Sequence, residues 1–186
     1  MPDAQTSPEV RKILQKQINA IIATLKVAST SDSDWIDLGI GYKGIGDYEG
    51  AKQAWEYVSY LSPKNIISFI NLGDLYHYYL HDYPKAEYNL LKVIENNPTY
   101  VAGYRNLFDL YHLSYKKDTN KAEATLLMGL KVSPRDLGLL IELGDYYKEK
   151  KQIDKAKDIY TQALSIAEVE KNQDAINYID LKIRTL

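Results

Sequence analysis

Cysteine is absent from the 186 residues, which excludes disulfides, thiol nucleophiles and cysteine-ligated zinc and leaves the redox compartment open. Long apolar runs are missing as well: none approaches the roughly 18 residues needed to cross a bilayer. Nor is there an excess of charge. The 23 basic and 25 acidic residues leave a net −2, with no global drive toward nucleic acid or an acidic membrane. Phenylalanine is scarce, two residues against seventeen tyrosines. Tyrosine joins a large apolar ring to a hydroxyl that can stay wet, which suits thin helical layers bathed on both sides. The opening MPDAQTSPEV has no basic stretch followed by an apolar one, so it does not read as a signal peptide. A cytoplasmic location is the default expectation, with an exported or membrane-anchored parent that has lost its leader left open.

What the chain does contain is 45% hydrophobic residues arranged in a repeat. Trp35, Leu38, Gly39, Tyr42, Ala51, Trp55 and Pro63 punctuate the stretch 32–65. Phe69, Leu72, Gly73, Tyr76, Ala86, Leu90 and Pro98 do so in 66–100. In 101–136 the set is Tyr104, Leu107, Tyr111, Ala122, Leu126 and Pro134, and in 137–170 it is Leu140, Leu143, Gly144, Tyr147, Ala156 and Tyr160. Spacings of three, one and three lay the first group of each set along one helix face, and a turn then leads to a second helix. That helix stops where the residue before proline is steered out of helical geometry. Glycine costs roughly 1 kcal/mol inside a helix, so Gly39, Gly73 and Gly144 predict close helix approach. Phe108 replaces this glycine in the third unit, and a wider pair is expected there. The extra residue of the second unit and the two of the third are expected in the turns between helices, where length costs little.

Ahead of the repeats, Pro8 to Ala28 predicts a helix capped by Ser7, with Leu14, Ile18, Ile21, Leu25 and Ala28 on one stripe widened by Ile13 and Ile22. Packing under the first repeat is the preferred reading, and a dimerisation helix the alternative. Behind the repeats, Ala175, Ile176, Ile179 and Ile183 predict a last helix from Gln173 to Arg184 that covers the final pair. The expected division is therefore a tail and packing helix (1–31), four repeats (32–170) and a capping helix (171–186).

These residues resemble the tetratricopeptide repeat (TPR) family in period and in the W-L-G-Y…A…F…P pattern, with Trp55 standing for the phenylalanine. The resemblance implies an all-α, right-handed α-α superhelix of four helical pairs. It also implies a non-enzymatic scaffold that holds a peptide or partner helix in a concave groove lined by the first helices. Carried over by slot, the implied lining is Ile36, Ile40 and Lys43, then Ile67, Ile70, Asn71, Asp74, His77 and Tyr78. Arg105, Asn106, Asp109 and His112 follow, with Ala102, and then Ile141, Glu142, Asp145 and Lys148. The family's clamp for chaperone tails needs lysines, asparagines and an arginine at set slots. Only Asn71 matches it, so that ligand is not expected.

Asp74, Asp109 and Asp145 share one slot, followed a turn later by His77, His112 and Lys148. This acidic column reads either as a ladder of solvated pairs or as a site for a basic partner segment. Asp74, His77, Asp109 and His112 are zinc-competent types in a poor arrangement, and no metal or other cofactor is expected. Tyr76, Tyr78, Tyr79, Tyr111 and Tyr115 could stack bases, but the acidic column would repel phosphate, so nucleic acid is not expected. No local signature assembles a nucleophile with its base, so no enzyme is expected. Oligomeric state is open, a monomer being the first expectation, and self-assembly through either terminal helix is the alternative function.

Overall fold

The computed structural model describes residues 7–27, 31–117 and 119–186, and among these every regular element is helical. The expected helix end at Ala28, the polar link at Ser29 and Asp118 of the third turn lie outside the described residues. Two compact units divide the chain, the first running to Asn97 and the second from Pro98.

The first unit holds α1 (Pro8–Val27), α2 (Asp32–Gly44), α3 (Tyr48–Leu61), α4 (Ile66–Asp74) and α5 (Tyr83–Asn96). Ser7 opens α1 by accepting the Val10 amide at 3.3 Å. Ile18 and Leu25 bury their side chains with Leu38 and Ala54, and Ile21 and Ile22 pack on the edge of that cluster. Packing of α1 on α2 is thus observed. Ile13 departs from the expected stripe and lies exposed. Short polar caps start the later helices: Asp47 accepts from Gly50 N at 2.8 Å and Asn65 from Ile67 N at 3.0 Å. Helix α2 closes with Gly46 at φ +83°, a left-handed turn that glycine adopts without strain, and Asp47 N bonds Tyr42 O at 2.9 Å.

The mid-helix glycines mark real contacts. A Cβ on Gly39 would fall 2.2 Å from the Trp55 indole nitrogen, and one on Gly73 would fall 2.6 Å from Leu90 Cδ2. Trp55 is fully buried and donates its indole N–H to the Ile36 carbonyl at 3.1 Å.

The second unit holds α6 (Val101–Asp109), α7 (Lys121–Val132), α8 (Leu137–Glu149), α9 (Ile153–Val169) and α10 (Gln173–Arg184). Gly144 repeats the close approach, with its missing Cβ 2.5 Å from Tyr160 Cε1. Phe108 is buried with its ring stacked on His112 at 5.0 Å and edge-on to Tyr146 at 6.0 Å. Helix α9 runs on past Glu168, the slot where the earlier repeats carry proline. Helix α10 packs on α9 through Ile179, which is fully buried.

The extra residues of the second and third repeats need a correction. They were expected in the turns, but one in each repeat is taken up inside the first helix. Residues Leu75–Tyr79 and Leu110–Ser114 form single π-helical turns, closed by Leu80 N to Leu75 O at 2.9 Å and Tyr115 N to Leu110 O at 2.7 Å. A π turn absorbs one residue without breaking the backbone ladder. It therefore keeps Tyr76 and Tyr111 buried while the chain still reaches the next helix. The remaining residue of the third repeat falls between Lys116 and Ala122.

Among the described residues, the buried tyrosines Tyr76, Tyr147 and Tyr160 donate to carboxylates: Tyr76 to Glu56 and Tyr147 to Glu123, both at 2.7 Å, and Tyr160 to Asp145. Burial first, and then these carboxylates, push all three phenols well above the usual tyrosine range. An acid whose folded value is raised contributes stability fully below its unfolded value, about 10, and loses it as pH climbs through the folded one. Denaturant unfolding should therefore show stability falling above about pH 10. A constant unfolding free energy from about pH 9 to about pH 11.5 would count against these bonds.

Candidate functional site

In the first unit the implied lining residues divide by burial. Ile40, Ile67 and Tyr78 are exposed by about half, while Lys43, Ile70, Asn71 and Asp74 are half-buried. Ile36 and His77 are buried and present little to a partner. His77 stacks on Tyr78 at 3.9 Å and meets Tyr83 edge-on at 6.3 Å, inside the π turn. Desolvation, with His81 adding, pulls its imidazole below the ordinary histidine value, so it is neutral at pH 7.

Helix α4 and its π turn carry the polar centre of this face. The Asn71 amide nitrogen is buried and has no hydrogen-bond partner among the described residues. One helical turn on, the Asp74 carboxylate accepts no hydrogen bond from them, and burial raises its pKa against the opposing pull of Lys43. Lys43 itself lies 4.8 Å above the Tyr79 ring. An unmatched donor and an unmatched acceptor thus stand at i and i+3 among apolar side chains. Each such group costs free energy until something supplies its partner.

The second unit differs. Arg105 is exposed, and Asn106, Asp109, His112, Ile141, Asp145 and Lys148 are half-buried. Arg105 donates Nε to Glu142 Oε1 at 2.6 Å, and His112 Nε2 lies 3.0 Å from Glu149. Lys182 of α10 reaches both Asp145 oxygens, at 2.7 and 2.9 Å, while Lys148 donates to the Thr185 carbonyl at 2.9 Å. Helix α10 therefore occupies the polar groups of α8. In this unit Asp145 belongs to a ladder of structural pairs, whereas Asp74 in the first unit has no such bond among the described residues. The second Glu142 oxygen is buried with no partner among them.

Several exposed residues were not singled out by slot. Tyr79 and Leu113 come to the surface through the π turns, which shift the side chains that follow by one position. The signal for this was the added residue in each repeat. No group of three or more His, Asp or Glu side chains among the described residues could hold a metal ion. No described helix is long and apolar enough to cross a membrane.

Comparison with known proteins bears on the fold. Residues 137–170 match the family model described as tetratricopeptide repeat. MamA aligns with a TM-score of 0.69 at 20% identity, over 92% of this chain and 99% of that one. TTC0263, a thermophilic TPR protein of Thermus thermophilus, aligns at 0.60 with 18% identity, over 89% and 88%. YrrB, a TPR protein with an unusual peptide-binding site, aligns at 0.64 with 17% identity, over 94% and 85%. At these identities the likeness shows the fold alone. No curated protein sequence matches the chain. The all-α helical-repeat architecture and the family resemblance expected from the sequence are both met.

Proposed function

We propose that this chain, a tetratricopeptide-repeat protein in its fold and in the sequence of its last repeat, is a non-enzymatic scaffold for a peptide or partner helix. The single observation that supports a binding face is the unmatched pair Asn71 and Asp74 in the first unit. A peptide group presents both a carbonyl for the Asn71 amide and an N–H for the Asp74 carboxylate. Ile40, Ile67 and Tyr78 around them offer apolar contact to flanking side chains. A basic side chain would satisfy Asp74 better than a neutral one, because a charge-assisted bond is about twice as strong. This favours a partner with a basic segment.

The test is an array of short peptides, basic and neutral, probed with the intact chain and with Asp74→Asn and Asn71→Ala. Asp74→Asn is expected to weaken capture of basic peptides by about tenfold, the scale of one lost charged hydrogen bond. It is also expected to raise the melting temperature. The sign follows from linkage: a carboxyl raised by burial contributes its stability below its unfolded value of about 3.9 and loses it as pH rises. At pH 7, above the unfolded value, burying the Asp74 carboxyl therefore costs stability that asparagine recovers. Equal capture by wild type and both variants would overturn the reading.

A second reading, self-assembly through a terminal helix, is favoured by Val10 and Ile13 on α1 and Tyr178 and Leu181 on α10, all exposed. Light scattering decides it, since a monomer at every concentration would end that reading.

A further inference from the structure

Comparison of the repeats slot by slot reveals a gap in the first. The residue just before the repeat alanine is lysine in three units: Lys85, Lys121 and Lys155. Each holds its ammonium over the ring of its own repeat's tyrosine, 5.2 Å from Tyr76, 5.0 Å from Tyr111 and 4.9 Å from Tyr147. An ammonium over an aromatic face is attracted by the ring quadrupole. In the first unit the slot holds Gly50, and no ammonium lies over Tyr42 among the described residues. The backbone of Gly50 instead comes flush to the ring, for a Cβ there would stand 2.9 Å from Tyr42 Cγ.

That gap opens a cavity of about 750 Å³ between α1 and α3, floored by α2. Its aromatic wall is Trp35, Tyr42 and Tyr57, and the Trp35 and Tyr57 rings lie 4.6 Å apart, tilted by 54° into a corner. Asp47 and Glu49 line it, and no basic residue does among those described. Hydrogen bonds from Lys52 and Gln53 hold the Glu49 carboxyl below its ordinary value, so it is ionised at neutral pH.

The neighbouring cavity supplies an internal control. It repeats the same floor one unit on, with Phe69, Leu72 and Tyr76, in about 490 Å³. Lys85 and Lys92 line it, in the slots that Gly50 and Tyr57 occupy in the first, and Lys92 lies 6.0 Å from the Tyr88 ring. There the chain's own lysines supply the cations. We propose that the cavity over Tyr42 binds an alkylammonium group from outside the chain, with Trp35, Tyr42 and Tyr57 as its aromatic wall and Asp47 as its counter-charge, Glu49 being already paired with Lys52 at 2.6 Å.

The experiment titrates the full chain with three probes and follows the tyrosine ring resonances and tryptophan fluorescence. Choline and Nα-acetyl-lysine amide carry the ammonium, and 3,3-dimethylbutan-1-ol copies the shape of choline without its charge. At least one ammonium probe is expected to bind with Kd below about 50 mM, and the alcohol at least about tenfold more weakly. Tighter binding of choline assigns the site to a small quaternary cation, and tighter binding of the lysine derivative assigns it to a side chain of a partner. Either outcome supports the proposal. Gly50→Lys, which returns the missing ammonium, is expected to lower affinity about tenfold. Because its Cβ presses on Tyr42, the exposed Tyr57→Leu serves as a second variant, with about a threefold loss expected. The proposal is overturned if the alcohol matches choline, if neither ammonium binds by about 50 mM, or if Tyr57→Leu binds as the wild type does.

Discussion

Trp55→Ala is expected to lower the unfolding free energy by about 3–5 kcal/mol. The indole is fully buried, so its removal leaves a large void between α2 and α3 that close-packed neighbours cannot fill. Its N–H bond to the Ile36 carbonyl is lost as well. Gly39 makes the prediction sharper, because its missing Cβ would lie within 2.2 Å of the same indole nitrogen. Gly39→Ala alone should therefore cost about 1–3 kcal/mol by overpacking, despite the better helix propensity of alanine. In the Trp55→Ala background the added methyl enters vacant space, and its cost should shrink or change sign. Denaturant unfolding of the four proteins in the cycle measures this coupling. Strict additivity would show that Gly39 does not exist to seat Trp55.

Ile179→Ala carries the second large effect, about 2–5 kcal/mol. Ile179 is fully buried in α10, which packs on α9, where Tyr160, Ala163 and Ala167 are fully buried as well. The contrast is with Lys182→Ala on the same helix, which removes the contact to Asp145. The Lys182 side chain is 25% exposed and that of Asp145 is 40% exposed, so a loss of about 1 kcal/mol or less is expected. If the lysine variant proved the more damaging, α10 would be held by charge rather than by packing. Both variants can be followed by urea denaturation, since each leaves the first unit's core untouched.

The face around Asn71 was partly legible from the chain. Asn71, Asp74, Ile40, Ile67 and Tyr78 were placed together by slot and prove accessible or half-buried. Ile36 and His77 occupy equally suitable slots and are buried. Slot position reports the direction in which a side chain leaves the helix. It does not report how far the neighbouring helix overlaps that direction. For His77 the deciding factor is the π turn, which rotates the residues from Leu75 onward relative to an unbroken α-helix. The acidic column divides for a similar reason. Asp74, Asp109 and Asp145 are equivalent in sequence, yet only Asp145 has Lys182 within bonding distance, because a terminal helix follows it.

Gly50 illustrates the opposite case. The lysines at 85, 121 and 155 and the glycine at 50 are plain in an aligned sequence. Their meaning required distances, since nothing in the spacing says that a lysine at this slot turns its ammonium over a tyrosine ring.

The sequence by itself determined the helical pairs, their order and their close contacts. Periodic apolar positions, small residues opposite large ones, polar caps and prolines are local signals, and each acts within a turn or two of where it is written. Tertiary structure alone decided where the inserted residues went. An added residue can lengthen a turn or widen a helix at similar cost, and the choice falls to whichever keeps Tyr76 and Tyr111 buried. It also decided which polar groups were left unmatched. Among the described residues Asn71 and Asp74 find no hydrogen-bond partner while Asp145 finds two, because pairing depends on which distant helix comes within about 3 Å, a property of the folded chain.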